Sequence, residues 1–260
     1  MVEQAPYDAL ATAYDATRRG VRFDMHDHLT WRAVTSSVPG PGGHVLDAGA
    51  GTGRFALRFL EAGCRVTLLD PSRRMLEEAR RAVEAAGHAS RATLVQAPIG
   101  SMPVATASID FVFCEGDPLG YCADLLGAAR DLLRVLRPGR PFYVSVDNRW
   151  VAALHQWSQG RVAEGMAAAE DGRGADPYGF PVHTFLPGEL KGLFEAAGGE
   201  DVRVTGKGAL AHLLPPATLD RLAAEHHDRW LRIEEAWSDD PGLAGAASHL
   251  VVTGRRRAGA

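Results

Sequence analysis

The chain has 260 residues, 28 of them basic and 32 acidic, for a net charge of −4. That balance excludes nucleic-acid recognition through an overall basic excess, and three scattered cysteines, Cys64, Cys114 and Cys122, exclude a disulfide framework or a zinc spacing. Neither end carries an apolar run suited to a signal peptide or a membrane span, so a cytoplasmic protein with reduced cysteines and one sizeable α/β core is expected.

The first element is a helix with an apolar stripe at Tyr7, Leu10, Ala11 and Tyr14. His26 and His28 follow close together, but no third ligand with suitable spacing accompanies them, so no metal site is expected. Val45-Leu-Asp-Ala-Gly-Ala-Gly-Thr-Gly then reads as a buried strand over 44–48 entering a glycine turn, with a helix from about Arg54. Glycines there tolerate positive φ and leave the backbone open to a ligand at the helix N-terminus. The third glycine stands one residue too early for the dinucleotide pattern GxGxxG, where position 54 would be glycine rather than arginine.

Downstream, strands are expected at 65–70, 92–96, 109–114 and 141–146, and near 201–205 and 248–253. Helices are expected over 71–83, 125–136, 187–197 and 218–237. This alternation predicts a doubly wound, mostly parallel sheet. Asp70 ends the second strand about 20 residues past the glycine turn, where a ribose needs an acid. Asp70 also suits the N-cap of the next helix, with Pro71 at its first position, and both roles are compatible. Met75 lies either against an adenine or in the core. The final helix carries a stripe at Leu219, Leu222, His226, Trp230, Ile233 and Trp237, and the terminal Gly254–Ala260 tail reads as frayed.

The run D-x-G-x-G-x-G from Asp47, together with Leu132-Leu-Arg-Val-Leu-Arg-Pro-Gly-Arg-Pro-Phe-Tyr-Val-Ser-Val146, resembles the class I S-adenosylmethionine-dependent methyltransferases of the type 11, UbiE-like family. The resemblance covers 41–149 well and 183–205 adequately. It implies a Rossmann-like seven-stranded sheet with an antiparallel edge strand. Three segments fall outside that sheet core: 1–40, expected as an N-terminal helical cap; 150–182, expected as a lid because it leaves the carboxyl end of strand 5 at the ligand crevice; and a helical insertion at 207–242. S-adenosylmethionine is the implied cofactor. Asp47 would help hold its amino acid end, Asp70 its ribose, and Tyr14 would cover the methionine end. The expected cofactor set is Tyr14, Asp47, Gly49, Ala50, Gly51, Gly53, Asp70, Pro71, Met75, Ala97, Pro98, Ile99 and Glu115. Relatives often have Gly-Asp where this chain has Ala97-Pro98, so the adenine amine needs another acceptor, such as a backbone carbonyl.

Methyl transfer from a sulfonium requires alignment and exclusion of water, and a base only where the acceptor must lose a proton. Glu115 and Asp117 can orient substrate or balance the sulfonium, and Tyr121 can stack on a ring or cation. Asp117-Pro-Leu-Gly-Tyr121 differs from the Asp/Asn-Pro-Pro-Tyr of amino-methylating enzymes by one extra residue and a missing proline, so that specificity does not carry over. His155, Asp147 and Tyr121 are the candidate catalytic groups. Asp117, Tyr121, Arg149, Trp150 and His183 are the candidate substrate contacts, with Arg149 suited to a carboxylate. These features predict methyl transfer to O, N or C of a small metabolite by a monomer or homodimer, with no nucleic-acid or membrane partner. The alternatives are a methyltransferase acting on tRNA or protein, and a cofactor-binding protein without catalysis.

Overall fold

The computed structural model describes residues 6–176 and 178–259. A 3₁₀ turn at Pro6–Ala9, a single helical turn α1 (Tyr14–Thr17) and the helix α2 (Val21–Thr35) open the described chain. The predicted N-terminal stripe is therefore broken into short turns rather than one helix. Its carboxylates are spent on the body of the protein: Asp15 accepts from Thr52 Oγ1 at 2.8 Å, and Asp8 accepts from the Ser72 hydroxyl.

The central sheet alternates with helices as the pattern predicts: β1 (His44–Ala48), α3 (Arg54–Glu61), β2 (Arg65–Asp70), α4 (Arg73–Ala85), β3 (Ala92–Gln96), β4 (Phe111–Cys114), α5 (Leu125–Val135) and β5 (Pro141–Asp147). Its seven strands lie in the order β3-β2-β1-β4-β5-β9-β8, where β8 is Gly199–Lys207 and β9 is His249–Arg256. The first five run parallel, and β9 runs antiparallel between β5 and β8. Val45, Leu46, Leu68, Leu69 and Phe111–Cys114 are fully buried because helices cover both faces. β4 is shorter than the predicted 109–114, since Ile109 makes only an isolated bridge to Leu136.

Three local expectations are corrected. Ser72, not Asp70, caps α4: its hydroxyl accepts from the Met75 N–H at 3.1 Å, while Asp70 turns back to the glycine loop. The Gly254–Arg256 stretch is strand, not a frayed tail, and Arg256 donates to the Arg134 carbonyl at 2.9 Å. The last long helix kinks at His226 (φ −142°, ψ 26°). The kink resets the helical phase, so Leu219, Trp230 and Leu231 are buried while His226 and Trp237 face solvent.

Between β5 and the following α8 (Pro187–Ala196) the chain builds α6 (Arg149–Ser158), α7 (Val162–Asp171) and the hairpin β6 (Arg173–Ala175)–β7 (Pro181–His183). Between β8 and β9 come α9 (Ala209–Leu213), α10 (Pro216–Trp237) and α11 (Pro241–Ala244). Met25 and Leu29 of α2 pack with Ala211, Leu219, Trp230 and Leu231, so the N-terminal helix is anchored by the C-terminal insertion. Among the described residues, no helix is long and apolar enough to cross a membrane.

Candidate active site

The carboxyl ends of β1 to β4 converge on one crevice, the place where strand order reverses and where this kind of sheet binds ligands. A cavity of about 1030 Å³ occupies it. Tyr14, Gly49, Gly51, Asp70, Pro71, Met75, Ala97, Pro98, Ile99, Glu115 and Tyr121 of the predicted set line it. Asp47, Ala50 and Gly53 stand behind the lining. Gly49, at φ +79°, has no room for a side chain, since a Cβ would meet Pro118 at 2.2 Å. Gly51 faces open space, which leaves its backbone available to a ligand.

Asp70 is almost wholly buried and accepts N–H bonds from Gly51 at 2.9 Å and Ser72 at 2.8 Å, one on each oxygen. Burial pushes its carboxyl up to about 6 although those two bonds pull it down. Each oxygen keeps a lone pair for a further donor. Asp47 is also buried, and its Oδ2 has no hydrogen-bond partner. Desolvation, then the neighbouring Asp70 and Glu115, push it up to about 8. A buried orphan acceptor behind a glycine loop, and a ribose-spaced acid beside it, fit an adenosyl cofactor with a cationic amino acid end.

On the far side of Glu115 lies a buried polar constellation. Lys207 Nζ donates to Glu115 Oε1 at 2.6 Å, Thr30 Oγ1 at 3.0 Å and the Tyr143 hydroxyl at 3.3 Å. Desolvation opposes Glu115's charge, but Lys207 overrides it and holds the carboxyl below its ordinary value. His26 Nε2 stands 3.3 Å from the same oxygen, and its ring meets the His249 ring edge-on at 4.9 Å. His249 Nε2 in turn lies 3.5 Å from Asp117 Oδ2 and 3.6 Å from Asp147 Oδ1. Burial opposes the charged imidazole, but Asp117 and then Asp147 outweigh it, so His249 is raised above its ordinary value. Asp147 is pushed up to about 7 by burial and by Asp117. Arg18 Nε, both nitrogens of His26, Asp27 Oδ1, Glu115 Oε2 and Asp117 Oδ1 are buried here without hydrogen-bond partners.

Other predicted contacts fall elsewhere. Arg149 is 6% exposed and turned inward, with both terminal nitrogens on Glu189 at 3.0 and 2.6 Å, so it ties α6 to α8 instead of meeting a substrate carboxylate. His155 and Trp150 are on exposed faces of α6, away from the cavity. His183 sits in β7 with its ring 4.7 Å from Phe185, behind the lining. The register shows why His249 and Lys207 escaped sequence analysis. Asp147, His249 and Lys207 are cross-strand partners on β5, β9 and β8, and no local pattern announces that pairing. His26 and His28 diverge, since His28 meets His227 at 5.2 Å instead.

The sheet order, the acid-led glycine loop and the ribose-spaced Asp70 are the arrangement expected of a class I S-adenosylmethionine-dependent methyltransferase domain. Residues 45–139 match the family model described as methyltransferase domain. The chain is 37% identical over 138 residues to a malonyl-[acyl-carrier protein] O-methyltransferase of Enterobacter lignolyticus, covering 52% of each. To the ubiquinone/menaquinone biosynthesis C-methyltransferase UbiE of Paracoccus denitrificans it is 34% identical over 151 residues, covering 55% of this chain and 59% of that one. It thus spans little more than half the length of these curated relatives. Among solved structures, the [4+2]-cyclase SpnF superposes with a TM-score of 0.61 at 22% identity, covering 90% of this chain and 81% of that one, and shows the fold. Over residues 45–139 the chain is thus similar to methyltransferase domains, UbiE-type enzymes among them, and its residues fit S-adenosylmethionine as cofactor.

Proposed function

We propose that the chain, read as one methyltransferase unit with an N-terminal cap and a lid, moves a methyl group from S-adenosylmethionine to O, N or C of a small metabolite. The observation that carries this reading is a large cavity at the strand ends with Asp70 on its wall, bordered at Glu115 by a buried polar constellation with orphaned polar atoms. In this reading the adenine lies along Met75 and Ala97–Ile99, and the ribose hydroxyls donate to Asp70. The amino acid end meets the Gly49–Gly51 backbone, with its ammonium balanced by Asp47. Glu115, held ionised by Lys207, faces the sulfonium side and orients the reacting groups.

The acceptor occupies the constellation, whose orphaned polar atoms would gain partners from it. An acceptor bearing O–H or N–H gives its proton to His249, whose imidazole the carboxylates of Asp117 and Asp147 orient. When bound, the cofactor supplies the electrophilic methyl; the chain supplies alignment, a proton acceptor and exclusion of water. The named activities of the relatives, C-methylation in ubiquinone/menaquinone biosynthesis and O-methylation of malonyl-[acyl-carrier protein], support O and C among the acceptor atoms.

Calorimetric titration with S-adenosylmethionine and S-adenosylhomocysteine tests the cofactor half. Wild type should bind in the micromolar range, and Asp70→Ala should lose about two to four orders of magnitude, since two charge-assisted bonds of about 1.5–3 kcal/mol each are removed. Equal affinity in the variant would remove the ribose role. Transfer of labelled methyl into fractionated small metabolites, and its absence from tRNA and protein fractions, tests the acceptor half.

A further inference from the structure

Three segments far apart in the chain roof the cofactor cavity. Tyr7 comes from the N-terminal turn, Tyr121 from the loop after β4, and Phe180 and Pro181 from the β6–β7 hairpin. One carboxylate joins them. Asp176 Oδ2 accepts from the Tyr7 hydroxyl at 2.5 Å and from the Tyr121 hydroxyl at 2.9 Å, and the two hydroxyl oxygens are 2.7 Å apart. Two hydroxyl protons therefore serve three short oxygen–oxygen contacts, a compact charge-assisted network.

The carboxylate is itself fixed. Its other oxygen accepts from the backbone N–H groups of Tyr178 at 2.9 Å and Phe180 at 2.8 Å, an Asx-type turn that aims Oδ2 at the tyrosines. Asp176 is 8% exposed, so water competes little for these bonds. The rings gather around the same point: Tyr7 lies 5.5 Å from Phe180, 5.8 Å from Tyr121 and 5.9 Å from Tyr14, centroid to centroid. Burial raises both phenols above their ordinary value, which keeps the donor protons in place through neutral pH. Tyr121 is thereby committed as a donor to Asp176, which removes it from the groups able to act as a base.

We propose that Asp176 is a positioning residue for cofactor binding: it clasps Tyr7 and Tyr121 over the cavity and sets how long an adenosyl ligand stays. This rests on the reading of the cavity as the S-adenosylmethionine site. The hydroxyls contact no ligand through this network; they hold their rings as walls, so the effect belongs on dissociation rather than encounter. Opening the clasp frees the Tyr7 and Tyr121 hydroxyls from the hairpin and leaves the Thr17–Tyr178 hydroxyl contact at 2.8 Å as a polar link to it, while Asp8 on Ser72 and Asp15 on Thr52 still tether the turn to the floor.

S-adenosylhomocysteine binding and release, followed by stopped-flow tryptophan fluorescence on the full chain, tests the proposal. Asp176→Ala should raise the dissociation rate about tenfold or more with association changed less than about threefold, a split a general loss of structure would not give. Tyr7→Phe and Tyr121→Phe keep the rings and remove single hydroxyls, so each should raise dissociation by a smaller factor, and neither should add to Asp176→Ala. Asp176→Asn, which keeps an acceptor oxygen, should fall between alanine and wild type. If Asp176→Ala fails to fold, the two phenylalanine variants decide. Unchanged dissociation in those variants, with wild type binding normally, overturns the clasp alone. No binding by wild type overturns the cofactor reading and the clasp with it.

Discussion

Asp47 shows what a single residue costs and gives at this site. A buried carboxyl with an orphaned oxygen favours its neutral form, and here the folded value is raised from 3.8 to about 8. The folded state therefore binds a proton that the unfolded chain releases. Stability from this group is fully present below its ordinary value and is lost as pH rises through about 8. Without ligand, the unfolding midpoint in urea should fall between pH 5 and pH 8, and Asp47→Asn should flatten that fall and stabilise the ligand-free protein. The same variant should bind S-adenosylhomocysteine at least about tenfold more weakly, because an amide cannot balance an ammonium. Wild-type affinity should rise with pH over that window, with a proton released on binding, measurable by titration in buffers of differing ionisation enthalpy. A flat wild-type profile would remove Asp47 from the amino acid end.

At the scale of elements, Asn148 organises the exit of β5. It is fully buried, and its Nδ2 lies 2.9 Å from the carbonyls of both Gly245 and Ala247. Its Oδ1 accepts from the Trp150 N–H at 3.1 Å and so caps α6. One side chain thus starts α6 and pins the turn leading into β9, which carries His249. Asn148→Ala should destabilise the protein by about 3 kcal/mol, from a lost cap and orphaned carbonyls, measured by urea unfolding. It should weaken acceptor turnover more than S-adenosylhomocysteine binding, since the cofactor cavity lies on the other side of β4. Arg149 beside it obeys the same logic: an exit that sequence pattern assigns to substrate is occupied by the join between α6 and α8.

Across the whole molecule, Lys207 and Glu115 form the deepest electrostatic tie. Both side chains are about 5% exposed, and they join β8 to the loop after β4, with Thr30 of α2 as a third partner. A buried pair adds little net stability relative to apolar packing, but removing one member strands the other charge. Lys207→Met should therefore cost about 3–5 kcal/mol in urea unfolding, and should raise the pH at which Glu115 ionises. An N-terminal helix, a central strand exit and a C-terminal strand must therefore all be present for the polar constellation to form. The glycine loop and Asp70 come from contiguous β1–α4 sequence, whereas the roof of the cavity and the polar constellation are assembled from groups that meet only in the folded chain.

That division marks how far the sequence alone reached. The strands at 44–48, 65–70 and 92–96, the glycine loop and the place of Asp70 were legible because each is a local pattern: hydrophobic runs, turn chemistry and a fixed spacing. Fold class followed from the alternation of those elements, and the cofactor class from the resemblance their motif carries. His249, Lys207 and Asp176 were not legible, because their partners lie tens to more than a hundred residues away and are set by strand register and loop closure. Arg149, Trp150 and His155 were misplaced for the same reason, since chain proximity to a strand end does not decide which way a side chain turns. The phase of the last long helix failed at His226, where a kink interrupts the periodic stripe while Leu219, Trp230 and Leu231 pack with Met25 and Leu29 of α2. Local sequence determined the elements and the glycine loop; tertiary structure alone decided which charges are buried together, because only folding brings desolvated groups within the few ångströms at which they change one another's protonation.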